Sequence, residues 1–184
     1  PRRSSAGWTI MKVQPPFWGV VGLILIFFLL AYGIPKFFIP PDPTQTIRVF
    51  TRILALLLGV VLYSFVTARF ALSGLDFERT ARTHQQQAGQ LFEERFWLTN
   101  RWRISRLWIE IRDDSDLPGF HGSRILSKIG PKESRTYTAY TLVGMRGKYH
   151  LGPTRLISGD VFGLFSVEKS FSADDELLVL PKTV

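Results

Sequence analysis

The sequence predicts a transmembrane α-helical hairpin followed by an all-β, immunoglobulin-like antiparallel sandwich, and three observations predict it. Two long apolar runs lie within residues 1–68. Short period-two alternations separated by turn-forming residues fill the chain from Gly74 onward. The composition averages these two regimes: 46% hydrophobic and 14% aromatic, with 15 Phe and 5 Trp, against only 21% charged. The boundaries that follow are an N-terminal basic flank at 1–16, a two-helix membrane hairpin at 17–68 and a β-sandwich domain at 69–184. A soluble enzyme filling the whole chain is disfavoured on composition alone.

The first span is FWGVVGLILIFFLLAYGI, Phe17 to Ile34, which carries no formal charge. Its 18 residues reach about 27 Å at 1.5 Å per residue, close to the thickness of a hydrocarbon core. Pro15 and Pro16 suit its start, while Trp18 and, with Lys36, Tyr32 suit its two interfaces. A cleaved signal peptide is disfavoured, because the run is longer than a usual signal core and no small-x-small site separates Ile34 from Pro35, Pro40, Pro41 and Pro43. The second span starts between Thr46 and Ile53 and ends near Ala68, with ILALLLGVVLYSFVTA as its core. Arg48 and Arg52 lie in its first turns, where long stems carry guanidinium groups toward headgroups. Gly19 and Gly22 are spaced for close helix approach.

Flanking charge sets the expected orientation. Arg2, Arg3 and Lys12 precede the first span and Arg69, Arg79 and Arg82 follow the second, whereas Lys36 is balanced by Asp42 in the link from Pro35 to Thr46. Both termini are therefore expected on the cytoplasmic side of the membrane.

The β domain is read from its alternations: Leu75–Thr83, Gln90–Asn100, Arg106–Asp113, Ser134–Val143 and Gly147–Gly152, with a last strand at Glu176–Leu180 and a ladder partner at Thr154–Ile157. In the third run Leu107, Ile109 and Ile111 should share one face. About seven strands suit an immunoglobulin-like sandwich.

Candidate chemistry is sparse. No Cys is present, which removes disulfides and thiol nucleophiles. His84, His121 and His150 lack ligand spacing, so no metal and no other cofactor is expected. Asp113, Asp114 and Asp116 read as a solvated loop. Glu93 and Glu94 cannot flank one bond, since neighbours on a strand face opposite ways. Acids nearly match bases after Ala68, leaving no electrostatic footprint for nucleic acid. The basic N-terminus is better matched to the anionic lipid of a bilayer. The expectation is a non-enzymatic protein.

One stretch is more specific, MRGKYHLGPTRLISGDVFGLFSVEKSF from Met145 to Phe171. Gly147 permits a sharp entry into the strand carrying Tyr149, and Gly152 with Pro153 ends it. Asp160 can accept amide hydrogen bonds from the turn after it, with Arg146 as its expected ionic partner across a 147–152/154–157 hairpin. Phe162, Leu164 and Phe165, interrupted by Gly163, form an aromatic knot that either plugs one end of the sandwich or presents an adhesive surface.

These residues carry a family resemblance. The two spans, FERTARTHQQQAGQLFEERFWLTN, the DDSDLPG loop and above all RGKYHLGP followed by GDVFGLF are similar to the N-terminal half of the DUF58 family of bacterial membrane proteins, over about Phe17 to Val184. Val161 stands where that family usually has proline. The resemblance implies a further von Willebrand factor A-like domain after LLVLPKTV, so the chain is expected to be part of such a protein or a short paralogue. It also implies assembly or maturation work beside a MoxR-like ATPase. The motif residues Arg146, Gly147, Tyr149, Gly152, Pro153, Asp160, Phe162, Gly163, Leu164 and Phe165 are then structural or partner-contact positions. Two functional classes stay open: a membrane-anchored scaffold presenting its sandwich to membrane or cytoplasmic proteins, and an accessory subunit built into a larger membrane complex.

Overall fold

The computed structural model describes residues 5–33, 43–118, 122–172 and 175–181. Lys36, Asp42 and most of the proline-rich link, together with Gly119 and His121, lie outside the described residues. An N-terminal helical region is followed by a β-rich, multi-sheet domain, and the chain forms two compact units. One comprises Met11–Phe70 and Gly159–Ser166; the other comprises Pro1–Ile10, Ala71–Ser158 and Val167–Val184.

In the helical unit, α1 spans Pro15–Tyr32 and α2 spans Pro43–Phe70. Pro15 and Pro16 occupy the first turn of α1, where their missing amide hydrogens cost nothing, and the Gly33 amide closes the far end on the Leu29 carbonyl at 2.7 Å. Phe27 meets Phe50 with ring centroids 5.9 Å apart, and Ala31, Ser64 and Ala68 are buried. The remaining surface is open: only 6% of the most apolar stretch of each helix is buried, at mean hydropathy 2.0 and 2.2. By length and composition both helices could cross a bilayer. Gly19 and Gly22 have nothing within 4 Å of where a Cβ would stand, so the expected close helix approach is not made there. Arg48 folds back one turn, its Nε donating to the Thr44 carbonyl at 3.2 Å.

The β unit contains more strands than the alternation suggested. Before the helices comes β1 (Ser5–Val13); after them come β2 (Leu75–Ala81), β3 (Gln85–Gln87), β4 (Gln90–Asn100), β5 (Arg106–Asp113) and β6 (Arg124–Ile129). Then follow β7 (Ser134–Val143), β8 (Gly147–Leu151), β9 (Thr154–Gly159), β10 (Phe165–Ser172) and β11 (Asp175–Leu180). They make a five-stranded sheet, β1-β10-β9-β5-β6, and two three-stranded sheets, β2-β4-β7 and β3-β11-β8. The strands are thus distributed over three sheets, and one pairing, β3 with β11, is parallel where an all-antiparallel arrangement was expected. The last strand pairs with β8 and β3, while β9 pairs with β5.

Alternation holds best on β4, where Phe92, Glu94, Phe96, Leu98 and Asn100 turn inward. Phe77 on β2 joins the sheets, lying 6.1 Å from Phe96 and 5.4 Å from Phe171 of β10. A second core cluster gathers Phe92, Leu117, Val143, Leu151, Leu177 and Val179. On β5 the expected face fails at one residue. Trp108 has φ 48°, so the alternation slips and Leu107 is exposed beside it, while Ile109 and Ile111 stay buried. The Trp108 carbonyl accepts the Ser158 hydroxyl at 2.8 Å, which helps hold this left-handed backbone.

Candidate functional site

The Met145–Phe171 stretch divides between the two units. Its first half joins the β unit at a buried ionic hub. Arg79, inward on β2, donates through Nη2 to Glu94 Oε1 on β4 at 2.6 Å and through Nη1 to Asp113 Oδ1 at the end of β5 at 2.9 Å. Its guanidinium also reaches the hydroxyls of Ser115 (2.9 Å) and Thr154 (3.3 Å), and lies 5.4 Å from the Phe96 ring centroid. Arg79 and its four polar partners are all buried. One guanidinium faces two carboxylates, and Glu94 Oε2 is buried without a hydrogen-bond partner. Burial pushes the Glu94 carboxyl up, against the opposing pull of Arg79.

This hub corrects the solvated-loop reading at Asp113 and Asp114, while Asp116 is exposed as expected. Asp113 is buried, and Asp114 is gripped by Arg155, whose other arm reaches Glu168 at 2.9 Å. These two carboxylates hold the Arg155 guanidinium firmly protonated. The loop is laid along the glycine-proline end of β8. Asp114 N–H donates to the Pro153 carbonyl (3.0 Å), Asp116 N–H to the His150 carbonyl (3.1 Å), and Gly152 N–H to Ser115 Oγ (3.1 Å). Gly152 has φ 97°, a conformation that a side chain would strain. Tyr149 packs on the second core cluster and donates its hydroxyl to the Met145 carbonyl, Gly147 pairs with Val179, and Arg146 is exposed.

Gly159–Ser166 belong to the helical unit, and the stretch returns to the β unit at Val167. Phe165 is buried, its ring 5.3 Å from Phe17 of α1 and 5.8 Å from Phe65 of α2. Phe162 lies 6.3 Å from Tyr63 yet stays half exposed. Gln14, at the α1 N-cap, donates its amide to the Leu164 carbonyl (2.9 Å) and its side chain to Ser166 Oγ (2.6 Å). The knot therefore packs on α1 and α2. Asp160 accepts from the amides of Phe162 (2.9 Å) and Phe165 (2.7 Å), as its place before a turn suggests. The hairpin expected to bring Arg146 to Asp160 does not form, because β8 and β9 belong to different sheets.

A third feature, missed in the sequence, is the outer face of β2-β4-β7. Thr80, Arg82, Glu93, Arg95 and Trp97 line a shallow depression there. Glu93 accepts from Arg82 at 2.7 Å and Arg95 at 3.5 Å, and these contacts hold its carboxyl below the usual range. Beyond it Leu91 and Leu142, directly paired across the strands, and Tyr140 are exposed. Glu93 and Glu94 face opposite ways, as strand geometry requires. Among the described residues, no group of three His, Asp or Glu is placed to hold a metal ion.

No family model matches the chain, and no curated protein matches it. Among solved structures it is similar to the CARDB domain of the PF1109 protein of Pyrococcus furiosus, whose crystal structure is a complex with di-metal ions. Identity is 14%, covering 59% of this chain and 94% of that one, at a TM-score of 0.40. The solution structure of the same domain gives 14% identity, 58% and 94% coverage and a TM-score of 0.39. Pseudomonas fluorescens alkylpurine DNA glycosylase AlkC, bound to DNA containing an abasic site analogue, matches at 10% identity over 90% of this chain and 43% of that one, with a TM-score of 0.36.

Proposed function

We propose that this chain is a non-enzymatic, membrane-anchored scaffold of the bacterial inner membrane. α1 and α2 cross the bilayer as a hairpin, and an immunoglobulin-like β-sandwich in the cytoplasm meets protein partners. The observation that carries the reading is the apolar surface that both helices leave open over stretches long enough to span, a surface that water would penalise heavily. Chain path supports the hairpin: Pro1–Ile10 before the helices, and Ala71–Ser158 with Val167–Val184 after them, belong to one compact unit. Segments of one unit lie on one side of a membrane, so the helices between them cross it an even number of times. The motif resemblance supports a protein partner and makes a MoxR-like ATPase the first one to test. The outer face of β2-β4-β7, with Leu91, Tyr140 and Leu142 beside Arg82 and Arg95, is the surface proposed for it.

The test has two arms. The full chain is expected in the membrane fraction after alkaline carbonate washing, and release into the wash would remove the anchor. In mild detergent, Leu91→Asp with Leu142→Asp should abolish co-purification of the ATPase without lowering the unfolding temperature. Retention of the ATPase by the double variant would remove that face from the proposal.

A further inference from the structure

We infer that the Asp160–Phe165 turn is a third membrane-contacting element, a wedge whose tip, Val161 and Phe162, enters the interfacial layer of the bilayer beside the hairpin. The inference rests on the membrane reading above and extends it to a segment 90 residues along the chain from the end of α2. Three observations carry it.

The first is depth. Phe165 packs between Phe17, near the start of α1, and Phe65, five residues before the end of α2. Phe162 instead meets Tyr63, which lies two residues, or about 3 Å, closer to the middle of α2. The tip therefore runs alongside the apolar part of α2, where Leu62 and Val66 are also exposed.

The second is the tip's chemistry. Val161 is 71% exposed and Phe162 52%, and no formal charge occurs from Val161 to Ser166. Trp18, the exposed neighbour of Phe17, and Tyr63 complete a set of rings of the kind enriched at membrane interfaces. Arg69 in the last turn of α2 suits the headgroup layer just outside them.

The third is the backbone. A turn can enter an apolar layer only if its amides are paired. Phe162 and Phe165 amides donate to the Asp160 carboxylate, the Gly163 amide to the Asp160 carbonyl, and the Asp160 amide to the Phe165 carbonyl. Gly163 supplies the positive φ, 69°, that closes this arrangement.

The Cys-free chain permits a direct test. Val161→Cys, Leu25→Cys in α1 and Leu142→Cys on β7 are each labelled with an environment-sensitive NBD dye. The full-length protein is placed in phosphatidylcholine–phosphatidylglycerol vesicles, with nitroxide quenchers attached either high or low on the acyl chain. Dye at Leu25 should be quenched by the deep label. Dye at Val161 should show blue-shifted emission and lose more fluorescence to the shallow label than to the deep one, while dye at Leu142 should emit as in water. Water-like, unquenched emission at Val161 with Leu25 quenched overturns the wedge and leaves the membrane reading intact. Loss of quenching at both sites overturns the membrane reading and the wedge together. Blue-shifted but unquenched emission at Val161 shows that protein, a second copy of this chain, covers the tip, and that also overturns the wedge.

Discussion

Arg79 holds together side chains from strands that are far apart in the chain. Its partners Glu94, Asp113 and Thr154 lie 15, 34 and 75 residues away. Replacing it with methionine fills similar space but leaves two buried carboxylates without their cation. That change is expected to cost about 3–5 kcal/mol in thermal unfolding of the full chain. The hub should also respond to pH through Glu94, whose folded pKa is raised above its ordinary 4.5 because burial disfavours the charged form. A raised carboxyl binds more protons folded than unfolded, so its contribution is fully present below the unfolded value and is lost as pH climbs through the folded one. Relative to Glu94→Gln, the native protein should therefore lose stability as pH rises above the ordinary carboxylate range. A difference that is flat or grows with pH would show Glu94 charged throughout. Sequence reading singled out Glu94 only to exclude it from catalysis. The hub stayed hidden because its members share no local spacing and meet only through strand pairing.

Among the elements, regular alternation was legible and irregular burial was not. Strands β4, β5 and β7 match their expected limits because Phe92, Phe96, Leu98, Ile109, Ile111 and Ala139 sit on period-two positions. β6 and β10 were missed, since Leu126 and Ile129 are three apart and β10 buries Val167 and Glu168 in succession. β1 was absorbed into the basic flank despite its Trp8–Ile10–Lys12 alternation. The knot was recognised as too aromatic for a solvated loop, but its packing on Phe17 and Phe65 depends on helices more than ninety residues upstream. Phe165→Ala should cost about 3–5 kcal/mol through lost burial and a cavity. Phe162→Ala should change stability by only about 0.5 kcal/mol in detergent. A double-mutant cycle of Phe165 with Phe17 is expected to return a coupling of about 0.5–1.5 kcal/mol, and zero coupling would show that the ring contact is not formed.

For the molecule as a whole, apolar run length made the two helices legible and left their setting to experiment. The proposed orientation predicts that Asp42→Cys reacts with an impermeant maleimide in intact cells, whereas Leu142→Cys reacts only after permeabilisation. The reverse pattern would put the β domain on the outer side. Leu142 suits this assay because it is exposed; Ser115, in the loop that sequence marked as solvated, is buried against Arg79.

The place of β1 at the edge of the five-stranded sheet, hydrogen-bonded to β10, sets a timetable for biogenesis. A ribosome adds about 5–20 residues each second, so the first strand emerges roughly ten to thirty seconds before Phe165–Ser172 exists to receive it. Both apolar helices are complete long before that interval ends, while Ser5–Val13 waits as an unpaired strand. Docking of that segment cannot precede synthesis of β10. A chain arrested before β10 would leave Ser5–Val13 without its partner strand and open to proteases, giving quality control a signal that synthesis is unfinished.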